Sequence, residues 1–151
     1  MSKTLKIKLI AACEAYVEKK LETIQQAIDD LEAALKLETK CSMGDKYETG
    51  RAMLHLEFEK LAVQYEQFKK LRKTVRMIPS GKINKDVAFG SVVRTSQANY
   101  FIAIPAGELI VEGEKYYAVG ATAPIAQNLM GRTAGDTFSF NGRELEVQQV
   151  L

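Results

Sequence analysis

The chain has 151 residues, room for one or two small domains and too little for a large multi-domain enzyme. Its 26% charged and 46% hydrophobic residues exclude global disorder, and a net charge of +2 is not the footprint of a generic nucleic-acid binder. Two cysteines, Cys13 and Cys41, with the one histidine, His55, cannot build a structural zinc site and fit a reducing compartment.

At the N-terminus, Lys3, Lys6 and Lys8 ahead of Leu9 and Ile10-Ala11-Ala12-Cys13 imitate a leader peptide. The apolar run is only 5 residues before Glu14. A secretory core needs roughly 7–15 residues and a membrane span about 20. A cytoplasmic protein with no membrane partner is expected.

Proline and glycine divide the rest. Residues 1–78 contain no proline and only Gly44 and Gly50, whereas residues 79–151 hold three prolines and eight glycines. The first part is expected to be helix, the second mostly strand and turn. Val17, Leu21, Ile24, Ile28, Leu31 and Leu35 form one heptad seam; Leu54, Phe58, Leu61, Tyr65 and Phe68 form another. The short break from Thr39 to Gly44 turns the chain back, and Ser42 with Asp45 resembles a weak capping box. The expected unit is an antiparallel coiled-coil hairpin over 1–78 with its tip near 39–45. Parallel pairing through one seam is disfavoured, because the break is too short to straighten the chain.

Charge is uneven along that hairpin. Residues 1–78 carry 15 basic and 12 acidic groups, and residues 79–151 carry 6 and 7. Lys3, Lys6 and Lys8 face a basic patch of Lys69, Lys70, Arg72, Lys73 and Arg76 across the open end. Such clusters are usually solvated faces; the functional reading is an electrostatic saddle for a phosphate backbone or an acidic protein surface.

Pro79-Ser80-Gly81 opens a linker over 79–86. Strands are expected at 87–95, 99–104, 116–119, 136–140 and 144–150. Asn141-Gly142 suits a type I′ hairpin. Pro124 to Met130 reads as a short helix with Pro124 in its first turn and Gly131 as its stop. The expected C-terminal domain, 87–151, is a small antiparallel sheet with one helix, so the fold class is α+β.

Val119-Gly120-Ala121-Thr122-Ala123-Pro124-Ile125-Ala126-Gln127-Asn128-Leu129-Met130-Gly131-Arg132-Thr133-Ala134-Gly135-Asp136 resembles the C-terminal domain of the bacterial Gre transcript-cleavage factors. That family's pattern is Ser-Pro-(Ile/Leu)-Ala-x-x-Leu-(Ile/Met)-Gly-(Lys/Arg)-x-x-Gly-Asp, and Ala123 stands where it has serine. Phe89-Gly90-Ser91-Val92-Val93 is similar to its entry strand, and residues 143–150 to its closing strand. The hairpin matches the family's N-terminal coiled coil. The resemblance implies an FKBP-like C-terminal domain that docks on the rim of RNA polymerase's secondary channel, with Thr122, Ala123 and Pro124 at the docking edge. It also implies a coiled coil that reaches the active site and meets RNA only indirectly. In the family, tip carboxylates help to hold a second Mg²⁺, whose hard-ligand demand and two-metal geometry make that chemistry sound.

The tip departs from the family. Aligned through Tyr47, the family's two working acids fall on Lys40 and Met43, neither of which ligates magnesium as a carboxylate does. Glu38, Asp45 and Glu48 are the remaining nearby acids, in another register. Asp45 is the one weak candidate toward a polymerase-bound magnesium, although a carboxylate there also suits the start of a helix. No metal or cofactor of the protein's own is expected.

Cys41, at the tip, reads as a surface cysteine. Cys13 packs on a helix, and His55 flanks the seam. The pairs Tyr100-Phe101 and Tyr116-Tyr117 should each send one ring inward and one outward, which weakens a base-stacking reading. Prolyl isomerisation rests on fold analogy alone. The expected function is non-enzymatic: binding to RNA polymerase, with modulation or inhibition favoured over strong cleavage stimulation. The alternative is a coiled-coil interaction adaptor with a reused FKBP-like domain and no polymerase role.

Overall fold

A computed structural model describes the backbone of residues 2–40 and 44–151 and the side chains of residues 3–37 and 49–151. The elements run α1 (Ser2–Lys40), α2 (Gly44–Arg76), β1 (Val92–Thr95), β2 (Asn99–Ala103), β3 (Gly107–Val111), β4 (Glu114–Gly120), α3 (Pro124–Leu129), β5 (Thr137–Phe140) and β6 (Arg143–Val150). The fold is α+β. Two compact units form, Val17–Arg72 and Met1–Tyr16 with Lys73–Leu151. The expected division at residues 79–86 is a different cut, because the first turns of α1 and the last turn of α2 belong with the sheet.

The helical unit follows its heptads. Val17, Leu21 and Ile24 are buried, and Ile28, Leu31, Leu35, Leu54, Phe58, Leu61, Tyr65 and Phe68 are half-buried. A two-helix seam covers its residues on one side only, so burial is partial along most of it. The next seam position after Phe68 is Arg72, whose guanidinium meets Glu18 of α1 at 3.5 Å. On the outer face, Gln25 and Gln26 donate to Asp29 and Asp30 at 3.0 Å, each one turn on.

The sheet of the other unit has the order β3-β4-β2-β1-β6-β5. It is mixed rather than antiparallel, because β2 and β4 run parallel from Asn99↔Tyr116 to Ala103↔Gly120. β3, absent from the sequence expectation, is the edge strand that allows this, pairing antiparallel with β4. Its Leu109-Ile110-Val111 is apolar throughout and hides the alternation, yet Leu109 and Val111 are buried and Ile110 is 70% exposed. The β3–β4 turn uses Glu112 at φ 54° and Gly113 at φ 79°, a left-handed pair led by a residue that is unusual there. The first expected strand begins at Val92 rather than Val87, since a turn at Phe89-Gly90, closed by the Ser91 N–H on the Ala88 carbonyl, interrupts it. Asn141 and Gly142, at φ 50° and 77°, make the expected β5–β6 hairpin.

Both sheet faces are covered. On one, Val93, Ile102, Leu145 and Val147 pack with Ile125, Ala126 and Leu129 of α3. On the other, Val92, Phe101, Ala103, Tyr116 and Ala118 are buried without α3. The first turns of α1 belong to the same compact unit: Leu5, Leu9 and Cys13 are buried there, and Lys8 reaches Glu112 of the β3–β4 turn at 3.0 Å. Lys6, expected in an exposed basic cluster, is instead buried and donates to the Lys82 carbonyl at 2.8 Å. Burial pushes its ammonium below the ordinary lysine value. The 79–86 segment is thus tied to α1, and Pro79 also packs on Gly90, where a Cβ would lie 3.0 Å from the proline ring.

Candidate docking surface

The segment carrying the sequence motif joins β4 to α3. The Gly120 carbonyl accepts the Ala123 N–H at 3.0 Å, closing a turn, and the Ala123 carbonyl accepts the Gln127 N–H at 2.9 Å to begin the helix. Ala123 is extended, φ −62° and ψ 144°, as a residue before proline prefers. Pro124 occupies the first turn, where its missing N–H costs nothing. Thr122 and Pro124 are exposed. Ala123 is half-buried against the α3 core cluster, so two of the three expected docking side chains face outward and one faces inward.

The rest of the motif is absorbed by the fold. Ile125, Ala126 and Leu129 are buried, and Gly131 at φ 80° ends the helix. Arg132 donates from Nε to the Asn128 carbonyl at 2.5 Å and lies 4.5 Å from the Phe138 ring centroid, closing the helix end. The Asp136 carboxylate accepts the Thr133 N–H at 2.8 Å across a turn that needs Gly135 at φ 98°. Ala123 offers no side-chain oxygen to cap α3. Ala123→Ser should therefore raise thermal or denaturant stability by about 1 kcal/mol, with the β4–α3 turn unchanged.

No family model matches the chain, and no curated protein matches it in sequence. Among solved structures it is similar to the transcription factor Gfh1. The two share 16% identity over 92% of this chain and 93% of that one, with a TM-score of 0.39, a likeness too distant to transfer a function.

The remaining sequence candidates are placed individually. Glu38, Lys40, Cys41, Met43, Asp45 and Glu48 lie outside the residues whose side chains are described. In the helical unit, Lys69 meets Glu66 at 3.5 Å and sits 5.9 Å from the Tyr65 ring, Lys70 is exposed, and Arg72 is drawn into the seam with Glu18. Lys73 and Arg76 are exposed in the other unit. The basic run is thus partly neutralised by acids that are distant or unnoticed in the sequence.

Cys13 is fully buried, and desolvation pushes its thiol up to about 12, so it is no nucleophile. His55 is exposed on α2. Among the described residues, no group of three His, Cys, Asp or Glu could hold a metal, and no helix is long and apolar enough to cross a membrane.

Sequence reasoning missed one polar cluster. Arg94 of β1 pairs with Glu114 and donates to the Tyr116 hydroxyl at 3.0 Å, while that hydroxyl donates to Glu114 at 3.2 Å. The guanidinium holds the Glu114 carboxyl below the usual carboxylate range. The signal was faint because β1 and β4 are not sheet neighbours; β2 lies between them. Tyr116 and Phe101 are buried, and Tyr100 and Tyr117 are half-buried on the opposite face with ring centroids 6.1 Å apart.

Proposed function

We propose that this protein is a transcription-elongation-factor-like ligand of RNA polymerase. The β4–α3 turn docks on the secondary-channel rim and the helical hairpin enters the channel, meeting RNA only indirectly. The protein acts in the cytoplasm as a non-enzyme, modulating or blocking the channel rather than strongly stimulating cleavage. The observation that supports this reading is the division of labour within the Gre-like motif. Its buried residues, glycines, Arg132 and Asp136 serve the fold, and Thr122 and Pro124 are left as exposed side chains on a backbone stiffened by proline. A rigid exposed turn loses little entropy on docking.

Binding to purified core RNA polymerase tests the assignment. Thr122→Lys puts an unmatched charge at the edge and should weaken binding about tenfold or more, with the fold intact by circular dichroism. Pro124→Ala should weaken it less, by loosening the turn. Wild-type affinity in both folded variants would remove the docking assignment. Absence of stoichiometric core subunits on co-purification from the native source would leave the adaptor reading in its place.

A further inference from the structure

We infer that a groove between the start of α1 and the end of α2 binds an acidic amphipathic helix of a partner protein. The groove has a volume of about 320 Å³ and lies wholly within the sheet-bearing unit. Its floor is Ile7, Ile10 and Ala11 of α1 with Val75 of α2 and the following Ile78. Ile7 is 50% exposed; beside the groove, Met77, between the lining residues Arg76 and Ile78, is 67% exposed, and Ile83 of the 79–86 segment is 53% exposed. Exposed large apolar side chains at and beside a groove mark an interaction site more often than scattered ones do.

Charge selects the occupant. Lys3 stands one helical turn before Ile7 on the same face, and Lys73 stands one turn before Arg76, which lines the groove. Lys82 is exposed on the segment whose backbone is bound to Lys6. Arg76 and one acid, Glu14, line the groove, and Lys3, Lys73 and Lys82 stand beside it as three further exposed cations. A second copy of the chain would set the same basic rim against itself, and a nucleic acid would leave the apolar floor unused. A helix with an apolar stripe and acidic flanks satisfies both, and two flanking helices offer the ridges against which a third helix packs.

The inference is independent of polymerase binding and is tested without it. The isotopically labelled full chain is titrated with a synthetic helical peptide bearing Leu at i, i+3 and i+7 and Glu elsewhere, and separately with its Lys-for-Glu counterpart. The acidic peptide should move the amide signals of residues 7–11 and 75–78, and higher salt should weaken it. The double variant Lys73→Glu with Arg76→Glu should bind it about tenfold or more weakly, as should Met77→Asp, whose exposed side chain leaves folding unaffected. Equal binding of the two peptides, signal changes confined to other residues, or unchanged affinity in the charge-reversed variant would each overturn the inference.

Discussion

A fragment beginning at Pro79, the natural place to cut from the sequence, should fail to fold as a stable monomer. It keeps every strand and α3 but loses Leu5, Leu9, Cys13, Val75 and Ile78, all buried in the same compact unit as the sheet. The face bearing Val92, Phe101, Ala103, Tyr116 and Ala118 then meets water. Burial of one large apolar side chain contributes about 1.5–3 kcal/mol, so uncovering several is comparable to the whole stability of a typical small domain, about 5–15 kcal/mol. Loss of dispersed amide signals, or aggregation, is the expected result. In the full chain, Leu9→Ala should cost about 2–5 kcal/mol by denaturant unfolding, because Leu9 is fully buried. A Pro79 fragment with native-like dispersion and cooperative melting would instead support the boundary at residues 79–86.

The second large effect concerns the tip and rests on the proposed polymerase role. With Lys40 and Met43 where the Gre pattern has its working acids, the wild type should leave transcript cleavage in stalled complexes near the polymerase's intrinsic rate. Lys40→Asp with Met43→Glu supplies two hard oxygen ligands and should raise cleavage about tenfold or more, a barrier change of about 1.4 kcal/mol. Asp45→Asn, which keeps capping ability but removes the charge, should change little. Strong wild-type stimulation abolished by Asp45→Asn would make Asp45 the working acid. Binding without any gain from the restored pair would mean that the hairpin does not bring these positions to the active site.

The basic run shows how far charge can be judged from sequence. Lys69 has its acid only three residues away, a helical-neighbour pair that counting clusters overlooks. Arg72 is different. It extends the 4, 3 rhythm of Phe68 and its predecessors, but its partner Glu18 is on the other helix. The β4–α3 segment was readable because its structural roles are local. Pro124, Gly131, Gly135 and Asp136 each act within a few residues, through a fixed φ, a left-handed φ or a short side-chain hydrogen bond. The inward turn of Ala123 could not be read in the same way, since it depends on the core beneath α3.

What the sequence determined by itself was the periodic and the local. The heptad seams, the Asn141-Gly142 hairpin and the Pro124 helix all follow from spacing or backbone preference over a few residues. What only the tertiary structure decided was which distant segments share a surface. β2 and β4 lie parallel because β3 intervenes in sequence and takes the sheet edge. Lys6 is buried with the Lys82 carbonyl as its acceptor, and Leu5, Leu9 and Cys13 are buried in the compact unit that carries the sheet. An apolar face specifies that it must be covered, but the hydrophobic effect has no direction, so the pattern does not name the element that covers it.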